Sequence, residues 1–445
     1  MNTNKKIVTR FAPSPTGHFH LGGVRSALYN YLFARKNGGK YILRSEDTDK
    51  ERSKKEYEDS FIELFNWLGL GYDEFHRQSE RTDIYKKYIE KMIEDGDAYV
   101  SKEEPKEEGQ RSEVIRFKNP NKKITFNDLV LGDITVDTTD LKDFVIARDF
   151  DEPLYHLTVV VDDFEMKVTH VIRGQEHIAN TPRQILIQEA IGAPRPLYAH
   201  VPLILSKDRS KLSKRDPTVI PALEYRDLGY LPEAILNFMA LIGWNPGGEK
   251  EVFTLEELVE IFDLKKVQKG GGVFNIEKLD WLNKEHIKKM PENLRNKEIL
   301  ERLNKSNNYG DKISEKVYPI IFDRISKWSD IDSMIGDGEL DYYFTPPTAE
   351  KEKLVWKDST KEETKKHLEK IIEILEKSEN DDFSEVEKIK SLIFDYATEN
   401  GRGKVLWPVR FALSGKDKSP DPFTLIYILG KEESVSRLSS AVEKL

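Results

Sequence analysis

Two short segments of the sequence carry residue types suited to binding and transferring phosphate. The first, residues 10–23, joins a strand candidate to a helix candidate and contains His20 just before Gly22 and Gly23. Paired glycines let a nucleotide approach the backbone, a helix N-terminus favours phosphate, and His20 can donate a hydrogen bond to a phosphoryl oxygen. Read alone, the segment is more often a glycine-rich turn with incidental histidines, and it is neither a Walker A loop nor G-x-G-x-x-G.

The second segment is a basic loop, residues 207–215, in which five basic residues accompany one acid among small polar groups. Such a loop can close over a polyphosphate, with Lys211 and Lys214 neutralising charge on the departing group. Read alone, a basic cluster is more often a solvated surface or a general anion patch.

The composition excludes some kinds of functional site and bears on the partners and location of the protein. The 445 residues contain no cysteine, which excludes disulfides, thiolate catalysis and cysteine-bound zinc or iron–sulfur sites. The net charge of -9 argues on average against a nucleic-acid partner, although local basic patches decide such binding. The first 15 residues lack an apolar segment of signal-peptide length, and the most apolar stretch, 231–244, is interrupted by Glu233 and Asn237. We therefore expect a cytoplasmic protein without a membrane span.

The elements around the first segment predict a nucleotide-binding sheet. Strand candidates at 7–12 and 40–44 flank a helix candidate at 24–35, which stops at Gly38 and Gly39. A strand, a loop, a helix and a second strand in close succession form a βαβ unit, which favours a parallel sheet.

Later segments indicate a small insert and then a change from mixed α/β structure to mainly helical structure. Residues 114–148 contain short β-rich runs, after which strands at 157–161 and 168–172 and a helix at 182–191 are predicted to resume the alternation. Strand signals fade from about residue 224, and the last half is predicted to be mainly helical.

Together the two segments resemble the paired signatures of class I aminoacyl-tRNA synthetases, and further motifs narrow the resemblance to the glutamyl-tRNA synthetases. The motifs are RFAPSPTG at 10–17, GGKYILRSEDTD at 38–49, IRGQEHIANTPRQ at 172–184, KLSKR at 211–215, GYLPEA at 229–234 and VFNIEKLDWLN at 273–283. The resemblance implies an α/β fold: a Rossmann-like parallel-sheet catalytic domain with an α/β insert, followed by a stem-contact module and a mainly α-helical anticodon-binding region.

The resemblance also implies domain boundaries. Residues 1–78 and 152–215 would form the two halves of the catalytic domain, the second half carrying the KLSKR loop. A short acceptor-end-binding insert, 79–151, would separate them. Residues 216–305 would form the stem-contact domain and 306–445 the helical anticodon-binding domain.

The amino-acid pocket can be argued from the chemistry of glutamate. Free glutamate has two carboxylates and one ammonium group, so its pocket needs cations and at least one acid. Arg10 and Arg173 are planar donors suited to carboxylates, and Glu46 can accept the ammonium group. The resemblance carries these three over by position, and it adds Ala12, Ser14 and Tyr155.

The resemblance implies ATP-dependent attachment of glutamate to the 3′ end of tRNA(Glu). The glutamate carboxylate would attack the α-phosphate of Mg²⁺-bound ATP to give glutamyl-adenylate and diphosphate, and the terminal tRNA hydroxyl would then take the acyl group and release AMP. His20, Lys211 and Lys214 are the candidate catalytic residues, because this chemistry needs charge stabilisation and no protein nucleophile. The ATP contacts map onto His20, Gly22, Gly23, Glu176, Leu203, Ile204 and Lys214. Family members usually activate glutamate only with tRNA bound, and we expect the same here.

Two features depart from the family pattern. The second histidine of the first signature is Gly23 here, and His18 lies two residues before His20. Some members hold zinc in the insert through cysteines, so this cysteine-free chain is expected to hold no zinc, and its histidines show no metal-ligand spacing. We expect a monomer whose partners are tRNA(Glu), glutamate and ATP.

Several alternatives stay open at this stage. A non-discriminating enzyme would also charge tRNA(Gln) with glutamate, and the anticodon contacts that decide this cannot be read from one sequence. A paralogue that glutamylates a modified tRNA base would lack the helical region beyond residue 300. Cytidylyltransferases, a nucleotidyltransferase class, share an H-x-G-H loop but lack the RSEDTD run. A non-catalytic tRNA-binding paralogue should have lost Arg10, His20, Glu46 or Lys214, which are all present.

Overall fold

The computed structural model describes residues 6–103, 112–210, 212, 220–305, 309, 313–348 and 350–445. The chain forms two compact units, Met1–Lys288 and Lys289–Leu445. The first unit mixes strands and helices, and the second is built from helices. The mixed α/β class with a helical C-terminal region, predicted from the sequence, is confirmed. The finer division into five segments stays a prediction.

Within the described residues, the first unit contains the strands and half of the helices. Its strands are β1 Val8–Phe11, β2 Lys40–Ser45, β3 Glu74–Arg77, β4 Ala98–Lys102, β5 Glu113–Phe117, β6 Lys123–Asp128, β7 Gly132–Asp137, β8 Phe144–Ala147, β9 His170–Gly174, β10 Leu197–Val201, β11 Ile204–Leu205 and β12 Gly272–Val273. Its helices are α1 Leu21–Lys36, α2 Lys55–Trp67, α3 Thr82–Glu94, α4 Tyr155–Glu165, α5 Thr181–Ala190, α6 Ala222–Asp227, α7 Pro232–Leu241, α8 Leu255–Ile261 and α9 Ile276–Lys289.

Helices are the only regular secondary structure of the second unit within its described ranges. Its helices are α10 Glu292–Lys305, α11 Tyr318–Arg324, α12 Ser329–Gly336, α13 Asp341–Phe344, α14 Lys351–Leu354, α15 Lys361–Lys377, α16 Val386–Asn400, α17 Arg402–Ser414 and α18 Pro422–Lys444. A capping box starts α15, since Thr360 Oγ1 accepts from Glu363 N and Glu363 Oε2 accepts from Thr360 N, both at 3.1 Å. Within the described ranges, no helix of either unit combines the length and the apolar character needed to cross a membrane.

Two groups of parallel strands meet where β1 lies beside β9. β1 pairs in parallel with β2, β2 with β3, and β9 with β10. Thr169, just before β9, joins the groups: its backbone N donates to Val8 O at 2.9 Å, and its Oγ1 accepts from Val8 N at 2.9 Å. The carboxyl ends of β1 and β9 therefore lie side by side, which is where open α/β sheets bind ligands.

Both faces of this sheet are covered. Ile42 and Val171 pack into one core with residues of α3, α4 and α5, whereas their neighbours Leu43 and Ile172 pack into the other with residues of α1, α2 and α7. Successive side chains of a strand point to opposite faces, so a parallel sheet buried on both sides needs such continuous apolar runs.

The helix that follows the first segment has clear sequence determinants. Leu28 and Leu32 of α1 are fully buried, as the helical period of apolar residues predicts. The first turn of α1 has no acidic side chain, and its last turn carries Arg35 and Lys36. Gly38 follows with a φ of 60°, the left-handed conformation that commonly ends a helix.

One predicted strand is wrong. Residues 157–161 lie inside α4, whose residues from Leu157 to Asp163 are all buried. A short, continuous apolar run fits a buried strand and a buried helix equally well, and its three valines favour the strand interpretation. Burial against α3 and α5 outweighs that local preference, since α4 packs in the core that those helices share.

The predicted insert contributes to the central sheet. β4, β5 and β8 form a separate antiparallel sheet. By contrast, β6 pairs with β7 as a hairpin and also lies parallel to β10, with Asp128 opposite Tyr198. The hairpin extends the sheet in the order β7-β6-β10-β9. Asp128 thereby enters the interior of the first unit, where it is 2% exposed.

Candidate active site

A cavity of about 380 Å³ opens at the carboxyl ends of β1 and β9. Its wall comes from the segment after β1, the first turn of α1, the residue after β2, the start of α4 and the end of β9. It gathers all six predicted glutamate-binding residues and four of the predicted ATP contacts: Arg10, Ala12, Ser14, His20, Gly22, Gly23, Glu46, Tyr155, Arg173 and Glu176.

The remaining predicted residues lie elsewhere. Ile204 borders the cavity indirectly, because a Cβ built on Gly22 would lie 3.9 Å from Ile204 Cδ1. Leu203 is not among the residues that line the cavity. Lys211 and Lys214 lie outside the described residues, so their roles stay predictions. In the same basic loop, Lys207 is exposed and its Nζ lies 2.5 Å from Glu277 Oε1.

Arg10 and Glu46 line one wall of the cavity, and behind them lies a buried cluster of charges that the sequence analysis did not predict. Arg10 Nε donates to Asp163 Oδ1 at 3.1 Å, and Arg44 Nη1 donates to the same oxygen at 2.9 Å. Arg44 Nη2 also donates to Glu46 Oε1 at 3.1 Å. The fully buried Arg44 thus connects two predicted pocket residues. It contacts Glu46 directly, and it shares the Asp163 carboxylate with Arg10.

Asp162 is a further buried acid of this cluster and lies on the side of Arg44 away from the cavity lining. Its carboxylate accepts from Gln78 Nε2 at 2.9 Å, Arg81 Nε at 2.7 Å and the Tyr85 hydroxyl at 2.9 Å, and it lies 3.6 Å from Arg44 Nε. Buried carboxylates are rare unless they are paired. Two adjacent acids at the end of the apolar run of α4 were the sequence signal that could have revealed this cluster.

The pKa values of the two carboxylates nearest the cavity shift in opposite directions. Burial raises the pKa of Glu46, and the attraction of Arg44 and Arg10 only partly opposes this. Burial also acts to raise the pKa of Asp163, but Arg10 and Arg44 together outweigh it and hold the pKa of Asp163 below its usual range. The difference follows from the donors: two arginines contact Asp163, whereas Arg44 alone donates to Glu46.

The opposite wall carries a second arginine with uncharged partners. Arg173 Nη2 donates to Thr181 Oγ1 at 2.8 Å, and Arg173 Nε donates to His200 Nε2 at 3.1 Å. Arg173 Nη1 is buried and has no hydrogen-bond partner among the described residues. Tyr155, which also lines the cavity, shares a hydrogen bond of 3.1 Å with His177 Nδ1. Burial lowers the pKa of His177 to about 4, so this histidine is neutral.

The departure at Gly23 has a steric reason. A Cβ at position 23 would lie 2.4 Å from the Phe19 ring. That ring is fixed edge-to-face against Phe11 and Phe65, with centroids 5.8 and 5.6 Å away. A histidine at position 23 would therefore have to displace a packed aromatic side chain. His18 lines the cavity and also contacts the ring of Tyr57, at a centroid distance of 5.2 Å.

The part of the cavity predicted to bind the nucleotide lies at the start of α1. His20 lies at the N-cap of α1, where its side chain makes no cap hydrogen bond to the first turn. The N-terminus of a helix favours anions. At the end of β9, a Cβ on Gly174 would lie 2.2 Å from the Glu176 carboxylate, so a bare backbone there lets Glu176 turn back over Gly174 at the cavity wall.

The arrangement is complementary to an amino acid with a second carboxylate. Two arginines can each bind a carboxylate, Glu46 can bind an ammonium group, and the start of α1 can bind phosphate beside them. A resident metal ion is not indicated, because the described ranges contain no group of three or more histidine, aspartate or glutamate side chains able to hold one. The absence of zinc stays a prediction.

Comparisons with known proteins agree with this geometry. The family of class I tRNA synthetases (E and Q), catalytic domain, matches residues 6–112 and 102–281, and the anticodon binding domain family matches residues 279–442. The glutamate–tRNA ligase of Aquifex aeolicus is 40% identical over 99% of each chain, and that of Bacillus subtilis is 36% identical over 98% of this chain and 99% of its own.

A solved structure extends the comparison to the fold. The glutamate tRNA ligase of Elizabethkingia meningosepticum superposes with a TM-score of 0.88 and 34% identity, covering 99% of each chain. The family predicted from the motifs is confirmed over the whole length of the chain. This chain therefore belongs to the class I tRNA synthetases of the glutamyl and glutaminyl branch.

Proposed function

We propose that this chain is a glutamate–tRNA ligase that joins glutamate to the 3′ end of tRNA(Glu) at the expense of ATP. The observation that carries the proposal is the grouping of Arg10, Arg173 and Glu46 in one cavity beside the start of α1. The relatives named above carry the same activity in their names, and the Elizabethkingia meningosepticum structure is described as a complex with its amino acid.

In the proposed first step, Arg10 and Arg173 bind the two carboxylates and Glu46 binds the ammonium group of glutamate. Ala12, Ser14 and Tyr155 complete the pocket. An α-carboxylate oxygen attacks the α-phosphorus of Mg²⁺-bound ATP, and the bond from that phosphorus to the bridging oxygen breaks as diphosphate leaves. ATP enters as its Mg²⁺ complex, which is a substrate and not a resident cofactor.

The catalytic groups proposed for this step act on charge. His20, at the start of α1, donates a hydrogen bond to a phosphoryl oxygen, while Lys211 and Lys214 of the basic loop neutralise the leaving diphosphate. Gly22 and Gly23 let the nucleotide approach the backbone, and Glu176, Leu203 and Ile204 contact its remaining parts. No protein nucleophile is needed, because the glutamate carboxylate is itself the nucleophile. The site has to hold this carboxylate in line with the α-phosphate.

In the proposed second step, a hydroxyl of the terminal tRNA ribose attacks the acyl carbon of glutamyl-adenylate. The acyl–phosphate bond breaks, AMP leaves, and glutamate becomes esterified to the tRNA. The helical second unit, which the anticodon binding domain family matches, would bind the other end of the tRNA.

The direct test is aminoacylation with radiolabelled glutamate and tRNA(Glu) transcript. We expect charging of tRNA(Glu). Additional charging of tRNA(Gln) with glutamate would identify the non-discriminating alternative. Absence of charging on both transcripts, with a folded protein, would overturn the proposal. Membership of the class I synthetases implies the use of ATP. The Mg²⁺ ion, the absence of zinc, a monomeric state and a cytoplasmic location stay predictions from the sequence.

A loop variant tests the role of Lys214. Lys214→Ala should lower the rate of adenylate formation by about a hundredfold or more, because it removes a cation from the developing diphosphate charge, while tRNA affinity changes little. Lys207→Ala is the matched control in the same loop, since Lys207 pairs with Glu277. Adenylate formation is measured by ATP–diphosphate exchange. Equal effects of the two variants would show that only the overall charge of the loop matters.

A further inference from the structure

A chain of buried hydrogen bonds runs from the hairpin of the insert to the amino-acid pocket. Asp128, at the end of β6, accepts from His200 Nδ1 through its Oδ2 at 2.7 Å. His200, on β10, accepts from Arg173 Nε through its Nε2 at 3.1 Å. His200 is 0% exposed and Asp128 is 2% exposed, so water does not compete for these contacts.

The carboxylate of Asp128 is itself held by the backbone. Its Oδ1 accepts from Val130 N at 3.0 Å and from Leu131 N at 2.9 Å, while its Oδ2 also accepts from His200 N at 3.0 Å. These donors favour the ionised carboxylate. Asp128 is therefore a fixed acceptor facing one nitrogen of the His200 ring.

A fixed acceptor on one ring nitrogen determines the tautomer of His200. The proton lies on Nδ1, where Asp128 accepts it, and the lone pair remains on Nε2, where Arg173 Nε–H donates to it. Thr181 Oγ1 also lies 3.1 Å from Nε2, and its hydroxyl can donate to the same lone pair. A proton on Nε2 would instead face the guanidinium N–H of Arg173. The same arrangement, a carboxylate behind a histidine, orients histidine ligands in metal sites.

The orientation of Arg173 follows from these contacts. The guanidinium group is planar, so two hydrogen bonds, from Nε to His200 and from Nη2 to Thr181, fix the direction of its third nitrogen. That nitrogen, Nη1, has no partner among the described residues, and Arg173 lines the cavity. Both partners of Arg173 are uncharged, so its positive charge is not cancelled locally.

We propose that Asp128 and His200 are positioning residues for glutamate binding: they set the tautomer and the contact that hold Arg173 with Nη1 directed at a carboxylate of glutamate. This inference rests on the proposed function. It assigns a role in amino-acid recognition to Asp128, a residue of the segment 79–151 that was expected to bind the acceptor end of tRNA.

Two substitutions of the same residue separate positioning from packing. In His200→Gln the side-chain oxygen can still accept from Arg173 Nε, whereas in His200→Asn the shorter amide reaches only Asp128. We expect His200→Asn to raise the KM for glutamate at least about tenfold, the value of one hydrogen bond to a charged group, and His200→Gln to raise it only a few-fold. The KM for ATP should stay unchanged in both variants.

A matched control is available on the neighbouring strand. His170 is also a buried histidine, but its ring contacts are Thr169 and Phe33 at the other end of β9. His170→Asn should leave the KM for glutamate unchanged. Equal increases in glutamate KM for His200→Asn and His200→Gln, or a parallel rise in the KM for ATP, would overturn the positioning role.

A spectroscopic measurement covers the case in which the variants fold poorly. In ¹⁵N-histidine NMR spectra of the wild-type protein, the resonance assigned to His200 should show the Nδ1–H tautomer, and an Nε2–H tautomer would overturn the inference. Failure of the proposed function gives a different result, since the wild type would then not charge tRNA with glutamate at all.

Discussion

The two arginines of the glutamate pocket are held in opposite ways. Arg10 donates to the Asp163 carboxylate, which also accepts from Arg44, so its charge is compensated within a buried cluster. Arg173 donates to Thr181 and to a neutral His200, so its charge is not compensated. Both arginines are buried, with residue exposures of 5% for Arg10 and 7% for Arg173.

This difference indicates a division of labour. The wall with Arg10 is a rigid frame in which each carboxylate has a cation, and its main contribution is to hold Arg10 and Glu46 in place. The wall with Arg173 keeps a buried positive charge that a ligand carboxylate can neutralise. Because an unpaired buried charge costs free energy, a dicarboxylate ligand gains most from Arg173.

The largest expected effect is on the frame. Arg44→Met keeps an unbranched side chain but removes the guanidinium group, which leaves Glu46, Asp162 and Asp163 short of a cation. We expect the free energy of unfolding of the first unit to fall by about 3–5 kcal/mol, the usual cost of removing one partner from a buried ion pair. Urea denaturation monitored by tryptophan fluorescence measures this.

A surface arginine is the control for Arg44. Arg226 pairs with Glu63 at 2.6 Å on the exterior of the same unit, and Arg226→Met should cost about 0–1 kcal/mol. If both variants destabilised the protein equally, the buried cluster would not be the frame described here.

The next effect distinguishes the two arginines themselves. Arg173→Ala should raise the KM for glutamate about a hundredfold, because it removes the uncompensated charge. Arg10→Ala should raise it about tenfold, because Asp163 already neutralises that charge. Steady-state aminoacylation at varied glutamate concentrations gives both values. The reverse order of effects would contradict the division of labour between the walls.

A smaller effect concerns pH. Glu46 must be ionised to bind the ammonium group, and its pKa is raised by burial. The kcat/KM for substrate glutamate should therefore decline as the pH falls through the pKa of Glu46. This pKa lies above about 4.3, the ordinary value of a glutamate side chain, and the decline should be up to about tenfold per pH unit. Asp163, whose pKa is lowered, should not titrate in that range.

Glu46→Gln identifies the group responsible for the pH dependence. The variant should have a lower kcat/KM for glutamate at neutral pH. The acid decline should disappear above about pH 4.3, where the side-chain carboxyl of the substrate itself begins to titrate. If the same decline persisted in the variant, another group would control it.

Much of the site could be predicted from the sequence because the motifs are contiguous. Residues 10–23 hold Arg10 and His20 close together along the chain, and local patterns fixed the strand before them and the helix after them. The family resemblance then supplied Glu46 and Arg173, which the fold brings to the same cavity.

The parts that could not be predicted depend on contacts between distant segments. Asp163 lies 153 residues from Arg10 along the chain, and Asp128 lies 72 residues from His200. No periodicity connects such pairs. The valine-rich run of α4 was misread for the same reason, since its burial between sheet and helices decides its conformation.

One measurement tests the central claim most directly: ATP–diphosphate exchange driven by glutamate, with tRNA(Glu) present and absent. A pocket with two arginines and one acid predicts exchange with glutamate and tRNA(Glu), and little exchange when glutamine replaces glutamate, since its amide cannot neutralise Arg173. Exchange that is absent with glutamate and tRNA(Glu), or equally fast with glutamine, would contradict the account.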